Sequence, residues 1–310
     1  MMKTPLLIVL VGLIASLSVP VAAQGPFALD AAKLKLSSAN ALVLDASSDI
    51  AIYSKAAQEV TPIASLTKLM TAMVTLDANQ PMDERISVGI EDIDFLKGSS
   101  SRLRLGIELP REEMLRLALM ASENRAASTL ARHYPGGTSA FVAAMNAKAT
   151  LLGLEHTHFI DSTGLSPQNV STAGDLARMV AAAAQYPVIR QFTTTQSHYV
   201  SVEPTGQVVG FNNTNGLVKS PQWDIQLSKT GYIREAGRCL VMMANIASKP
   251  FVIVLLDSLG KYSRVADAAR VKHWLETGEA LPVVKEAAAA KVKKTGKRIS
   301  GKLYPRARGA

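Results

Sequence analysis

The spacing of apolar positions changes character along this chain. Asn40 to Asp45 (Asn-Ala-Leu-Val-Leu-Asp) and Asp49 to Tyr53 (Asp-Ile-Ala-Ile-Tyr) are short apolar blocks around Ala46-Ser47-Ser48, which predicts a β-hairpin. From Ser65 to about Gln185, helical spacing dominates. Within that stretch Ala64 to Leu76 reads as a helix with Pro62 just ahead as a start signal, and Met114 to Met120 reads as a buried helical run. Strand patterns return at Ile225 to Thr230, Gly237 to Asn245 and Pro250 to Asp257. The last two are joined near Ser248-Lys249, and a helix is expected from Tyr262 to Leu275. The order predicts an α/β chain of the α+β kind: an antiparallel sheet built from both chain ends, with a helical lobe inserted between. Roughly 260 residues suit one such two-lobed domain, and no internal repeat interrupts it.

The chain ends differ from this body. Lys3, an apolar run from Leu6 to Val19, and Val21-Ala22-Ala23 before Gln24 form a charged start, an apolar stretch and a small-residue cleavage site. Residues 1–23 therefore read as a secretory signal peptide cleaved near Ala23. A retained anchor is the alternative, but the run is shorter than the ~20 residues a spanning helix needs, and Pro20 breaks it. The formal net charge is +9. Lys3 supplies one charge, and residues 285–310 supply eight, from nine Lys and Arg against one Glu. Residues 24–284 are therefore balanced. The 285–310 tail reads either as a solvated, disordered segment or as a tether to an anionic membrane or acidic polymer, where each Lys or Arg is worth ~1 kcal/mol. Both readings stay open. Nucleic acid is not an expected partner of an exported chain.

Three short strings carry the chemistry. In Ser65-Leu66-Thr67-Lys68 the i, i+3 spacing stacks a hydroxyl and an amine on one helix face. An alcohol attacks only when a base takes its proton, and Lys is such a base only when burial or nearby positive charge lowers its pKa. Leu66, Leu69, Met70 and Met73 offer apolar surroundings. Alone, this spacing is so common that an ordinary amphipathic helix explains it. Ser122-Glu123-Asn124, after Met114 to Met120, can point two polar groups into a cleft: Ser122 to relay a proton, Asn124 to hold Lys68 and a substrate carbonyl. A helix-ending turn is the plainer alternative. Lys229-Thr230-Gly231, in the strand-like Asp224 to Tyr232, offers a cation and a hydroxyl suited to a carboxylate. Gly231, lacking Cβ, lets a peptide lie close to that strand.

Other chemistry finds no support. His133, His156, His158, His198 and His273 form no H-E-x-x-H, and His156-Thr157-His158 reads as a loop or strand edge. G-x-S-x-G, phosphate-loop and dinucleotide fingerprints are absent, so neither a metal nor a cofactor is expected. Cys239, in Arg238-Cys239-Leu240-Val241-Met242, reads as a buried small hydrophobe. Asp161 and Asp175 read as turn and helix-start residues.

In order and spacing, the three strings resemble those of penicillin-binding proteins and serine β-lactamases. The surrounding runs narrow the likeness: Ile63 to Ala72, Ser122-Glu123-Asn124-Arg125-Ala126-Ala127, Asp161 to Pro167, Ser171 to Ala177, Asn213-Thr214-Asn215 and Lys229-Thr230-Gly231. From about Ala39 to Leu275 the chain resembles the D-alanyl-D-alanine carboxypeptidase/endopeptidase family of low-molecular-mass penicillin-binding proteins, and within it the endopeptidases. Ser162 departs from the Pro that the family often has there, in a loop expected to lie outside the catalytic strings.

The resemblance implies a penicillin-binding transpeptidase-like fold over 24–284 and a periplasmic setting. Peptidoglycan stem peptides would be the substrates and β-lactams the covalent inhibitors. Ser65 would form the acyl-enzyme, Lys68 would be the general base and Ser122 would pass the proton to the leaving amine. Asn124, Lys229, Thr230, Gly231 and Tyr232 would bind substrate, with the N–H groups of Ser65 and Tyr232 as the oxyanion hole. The expected reaction is hydrolysis of D-alanyl-diaminopimelate cross-links. Removal of a terminal D-Ala is the alternative, disfavoured because family carboxypeptidases usually carry a further β domain and an amphipathic anchor. A β-lactamase would need a base for deacylation, and no E-x-x-L-N-type loop follows Asn124. A non-catalytic wall-binding protein would not need the full set of reactive side chains.

Overall fold

A computed structural model describes residues 29–203 and 205–281. The expected signal peptide and the basic tail lie outside the described residues. The first strands among the described residues are an antiparallel pair, β1 (Ser38–Asp45) and β2 (Ile50–Lys55), as the hairpin pattern predicted. A short strand β3 (Thr61–Pro62) and a 3-10 turn (Ala64–Thr67) lead into helix α1 (Lys68–Asp77). The expected single helix from Ala64 is thus two pieces. Ala64 has φ +48, in the left-handed region that a regular right-handed helix does not admit.

The inserted lobe is less uniformly helical than its spacing suggests. A small pair, β4 (Arg85–Ser87) and β5 (Glu108–Pro110), precedes α2 (Arg111–Met120), α3 (Asn124–Arg132) and α4 (Gly137–Leu151). Strand β6 (Val170–Ser171) pairs with β3 and leads to α5 (Ala173–Ala183) and α6 (Pro187–Thr194). A hairpin that the apolar pattern did not announce follows: β7 (Ser197–Val202) and β8 (Gln207–Asn212). Its strands are largely exposed and polar, with only Val200, Val202 and Phe211 buried, so the period-2 signal is thin.

The chain then returns to the sheet with β9 (Asp224–Ile233), β10 (Gly237–Ile246) and β11 (Lys249–Ser258), and closes with α7 (Ser263–Thr277). The five-stranded order is β2-β1-β11-β10-β9, antiparallel throughout, with the early strand β1 pairing the late strand β11. The β10–β11 turn is tight, with Ala247 and Ser248 at φ +48 and +64, the primed-turn geometry that matches strand twist.

The central strands read as continuous apolar runs because both faces are covered. Cys239 and Val241 of β10, with Val252, Val254 and Leu256 of β11, face the helical lobe. Leu240, Met242 and Ala244, with Phe251, Ile253 and Leu255, face α7 and Trp274. Each such large side chain contributes roughly 1.5–3 kcal/mol by leaving water. Strand β9 is the sheet edge beside the helical lobe, and the three strings converge there.

Candidate active site

Ser65 sits on the 3-10 turn ahead of α1, and that turn is clamped from both lobes. Ala64 holds its unfavourable φ because its carbonyl accepts from Thr67 Oγ1 at 2.8 Å and abuts Gly164. A Cβ on Gly164 would lie 1.9 Å from the Ala64 oxygen, and its own φ is +79. Gly231 of β9 presses from the other side, where a Cβ would meet Ile63 O at 3.0 Å and Ser65 N at 3.2 Å. The space that Gly231 leaves is therefore filled by the turn bearing Ser65, a different use from the expected close approach of a peptide. Strain held by surrounding structure is typical of a preorganised site.

Lys68, on the first turn of α1, is fully buried. Its Nζ lies 2.9 Å from Ser65 Oγ, 2.7 Å from Asn124 Oδ1 and 2.6 Å from the Thr163 carbonyl. The last two atoms are acceptors only, so they take two N–H bonds whatever the charge. A neutral amine would then have its lone pair left for the Ser65 hydroxyl. Burial pushes the Lys68 ammonium down to about 7, with the Asp161 and Glu123 carboxylates opposing. The amine is thus near balance at neutral pH, where a general base works best.

The Thr163 carbonyl brings the Asp161 loop, which the sequence offered as a turn and not as a catalytic string, against the Lys68 amine. Asp161 accepts from Thr163 N, Gly164 N and Ser166 N and so shapes the loop, as a turn residue was expected to. Ser162 O accepts from Thr71 Oγ1 at 2.6 Å, and Ser162 Oγ donates to Ala127 O. Asp175 has a different task from capping: Thr172 caps α5, and the Asp175 carboxylate accepts from His156 N and Thr157 Oγ1.

Ser122 follows α2 at φ +58, and Glu123 caps α3 by accepting from Arg125 N. The string is therefore a hinge between two helices. Ser122 Oγ accepts from Lys229 Nζ at 2.8 Å, so its cationic partner is Lys229 rather than Lys68. Asn124 does touch Lys68, and its Nδ2 donates to Ser99 Oγ at 2.9 Å. Lys229 is also fully buried and donates to the Thr230 carbonyl. Burial, then the charges of Lys68 and Arg264, push Lys229 well below its ordinary value. Thr230 Oγ1 donates to Thr214 Oγ1, and Thr214 N to Met120 O, which ties β9 to the end of α2.

These groups line one cleft of about 760 Å³, with Ser65, Ser122, Asn124, Thr230, Gly231 and Tyr232 in its wall. Arg264 of α7 also faces it and was not singled out by sequence. Its Nη1 donates to the Gly231 carbonyl at 3.0 Å, and among the described residues it meets no carboxylate. Only the fold could reveal it, since it lies beyond every string. Lys229 and the half-buried Arg264, which meet no carboxylate among the described residues, give the cleft N–H donors and positive potential suited to an anion. Cys239 lies buried on β10, where burial pushes its thiol up to about 11. It is no nucleophile.

The chain is similar to known proteins over most of its length. The D-alanyl-D-alanine carboxypeptidase family profile matches residues 27–260. The chain is 47% identical over 282 residues, 90% of each protein, to the D-alanyl-D-alanine endopeptidase of Escherichia coli. It is 46% identical to that of Pseudomonas aeruginosa, over 86% of each. Among solved structures, penicillin-binding protein D2 of Listeria monocytogenes in its cefotaxime-bound form superposes with a TM-score of 0.68 at 28% identity. That match covers 77% of this chain and 97% of the other.

Proposed function

This chain belongs to the D-alanyl-D-alanine carboxypeptidase family, and from that premise we propose that it is a serine D,D-endopeptidase that hydrolyses D-alanyl-diaminopimelate cross-links of peptidoglycan. One observation carries the chemistry: Lys68 Nζ stands 2.9 Å from Ser65 Oγ with its two other hydrogen-bonding directions taken by Asn124 Oδ1 and the Thr163 carbonyl. In this reading the Lys68 lone pair takes the Ser65 proton as Oγ attacks the D-alanyl carbonyl. The N–H groups of Ser65 and Tyr232 hold the oxyanion. The amide breaks as Ser122, positioned by Lys229, gives its hydroxyl proton to the leaving amine and regains one from Lys68, which returns to the neutral amine. Water then hydrolyses the ester and restores Ser65. Thr230, Lys229 and Arg264 hold the carboxylate of the leaving residue, and Asn124 holds the acyl side. β-Lactams acylate Ser65 in the same way.

The endopeptidase reading is supported by the names and near-full-length match of the two relatives. Residues 1–23 as an export signal, a periplasmic location and residues 285–310 as a tether to anionic polymer complete the proposal. Digestion of purified muropeptides tests it. Cross-linked dimers should disappear while pentapeptide monomers keep their terminal D-Ala; the reverse pattern assigns a carboxypeptidase. Labelling by fluorescent penicillin should vanish in Ser65→Ala.

A further inference from the structure

A second lysine-centred contact spans the same cleft, away from the buried pair. Lys97 lies on the loop 94–99 of the helical lobe, and Glu235 lies in the turn between β9 and β10. Their side chains meet at 2.5 Å across 138 residues of sequence. Both line the cleft that holds Ser65. The loop is not a loose flap. The Asp94 carboxylate accepts from Leu96 N, Lys97 N and Ser99 N at 2.8–2.9 Å, which folds the segment on itself. Its far end is fixed to the catalytic groups, because Ser99 Oγ accepts from Asn124 Nδ2. On the other side, Glu235 follows Tyr232 by three residues, in the turn just after the strand that carries Lys229. The ion pair is thus a strap joining the lobes over one end of the cleft.

The strap is built to part. Both side chains are about one-third exposed, 31% for Lys97 and 38% for Glu235. Pairs so open to water gain little and are screened by salt. The loop that carries Lys97 also presents Phe95 and Leu96 to solvent, at 79% and 71% exposure. A small acylating agent can reach Ser65 from the open part of the cleft. A long peptide lying along β9 past Tyr232 must pass the Lys97–Glu235 contact or break it.

We propose that Lys97 and Glu235 determine substrate size selectivity: their cross-cleft pair is a gate that extended, cross-linked peptides must open and short substrates need not. The proposal rests on the D,D-peptidase reading given above. Each long substrate carries its own carboxylates and amines, so opening exchanges one weak ion pair for another with the substrate and imposes only a modest barrier.

The test compares the full chain with Lys97→Met, Glu235→Gln and the charge-exchanged K97E/E235K protein. Three reactions are followed: turnover of a cross-linked muropeptide dimer, turnover of a short N-acylated tripeptide ending in D-Ala-D-Ala, and acylation by benzylpenicillin. The ratio of kcat/KM for the long substrate over the short one should rise about 2–5-fold in each single variant and return toward the starting value in the exchanged protein. Raising salt should lift the ratio in the unaltered protein and leave the single variants unmoved. Acylation by benzylpenicillin should stay the same in all four proteins and serves as the check on folding. A ratio that stays constant or falls in the single variants overturns the gate. If the unaltered protein spares dimers and trims pentapeptides, the endopeptidase reading fails by itself. The gate is then decided by the same ratio, taken for a disaccharide pentapeptide over the short tripeptide.

Discussion

Lysine is used in opposite ways at the two ends of this cleft. Lys68 and Lys229 are buried, and among the described residues their hydrogen-bond partners are hydroxyl, amide and main-chain oxygens. Lys97 stands partly in water against Glu235. At the dry end, desolvation decides the charge state, so a residue normally protonated at neutral pH becomes a usable base. At the wet end, solvent screens and weakens the pair, so the same residue type serves as a separable contact. Position in the fold rather than residue identity separates chemistry from gating.

The sharpest way to break this comparison is to keep the positive charge of Lys68 and remove its ability to lose a proton. In Lys68→Arg the guanidinium cannot act as base, and acylation of Ser65 by penicillin should fall about 10²–10⁴-fold. Stopped-flow labelling measures it, and thermal melting checks that the protein is folded. Near-normal acylation in Lys68→Arg would mean that Lys68 holds the site by charge alone and that the base lies elsewhere.

A pH profile separates the two ends without mutation. Since Lys68 must be neutral to accept the proton and its value is lowered to about 7, the acylation rate should be level above that pH and fall about tenfold per unit below it. The sign follows from the base role: protonation on the acid side fills the lone pair that Ser65 needs. Glu235→Gln should leave this limb in place, because burial, Asp161 and Glu123 set the Lys68 value and Glu235 is not among its causes. A limb that moves with Glu235→Gln would show that the two ends are electrically coupled. The few-fold change in substrate ratio expected at Lys97 and Glu235 ranks below both effects.

The dry end was largely legible in the sequence and the wet end was not, for a physical reason. Ser65 and Lys68 are linked by local helical spacing, and Lys229 by an alternating strand, so short-range pattern reports them. The sheet strands were read within a few residues because β10 and β11 alternate between two buried faces. The Lys97–Glu235 contact joins residues 138 apart, and no local pattern encodes such a pairing. Arg264 likewise enters from α7 by topology alone. The Thr163 carbonyl was missed because every residue owns a carbonyl, and only the turn set by Asp161 and Gly164 aims this one at Lys68. The link of Ser122 to Lys229 rather than Lys68 depends on the left-handed hinge at Ser122 between α2 and α3.

That last lesson gives the smallest expected effect. Behind Lys68 the wall is built from main-chain oxygens: Thr163 O holds the amine, and Ser162 O holds Thr71. The Ser162 side chain makes a separate bond to Ala127 O at 3.1 Å. Ser162→Ala removes that bond, while the Ala127 carbonyl keeps its place in the hydrogen-bond ladder of α3. It should lower stability by about 0.5–1.5 kcal/mol, read as a shift in the denaturant midpoint. Acylation should stay within about twofold, because neither carbonyl that serves the amine is touched. A large loss of acylation with an unchanged midpoint would mean that the Ser162 hydroxyl itself tunes Lys68, and that side chains as well as main chain keep the dry end in order.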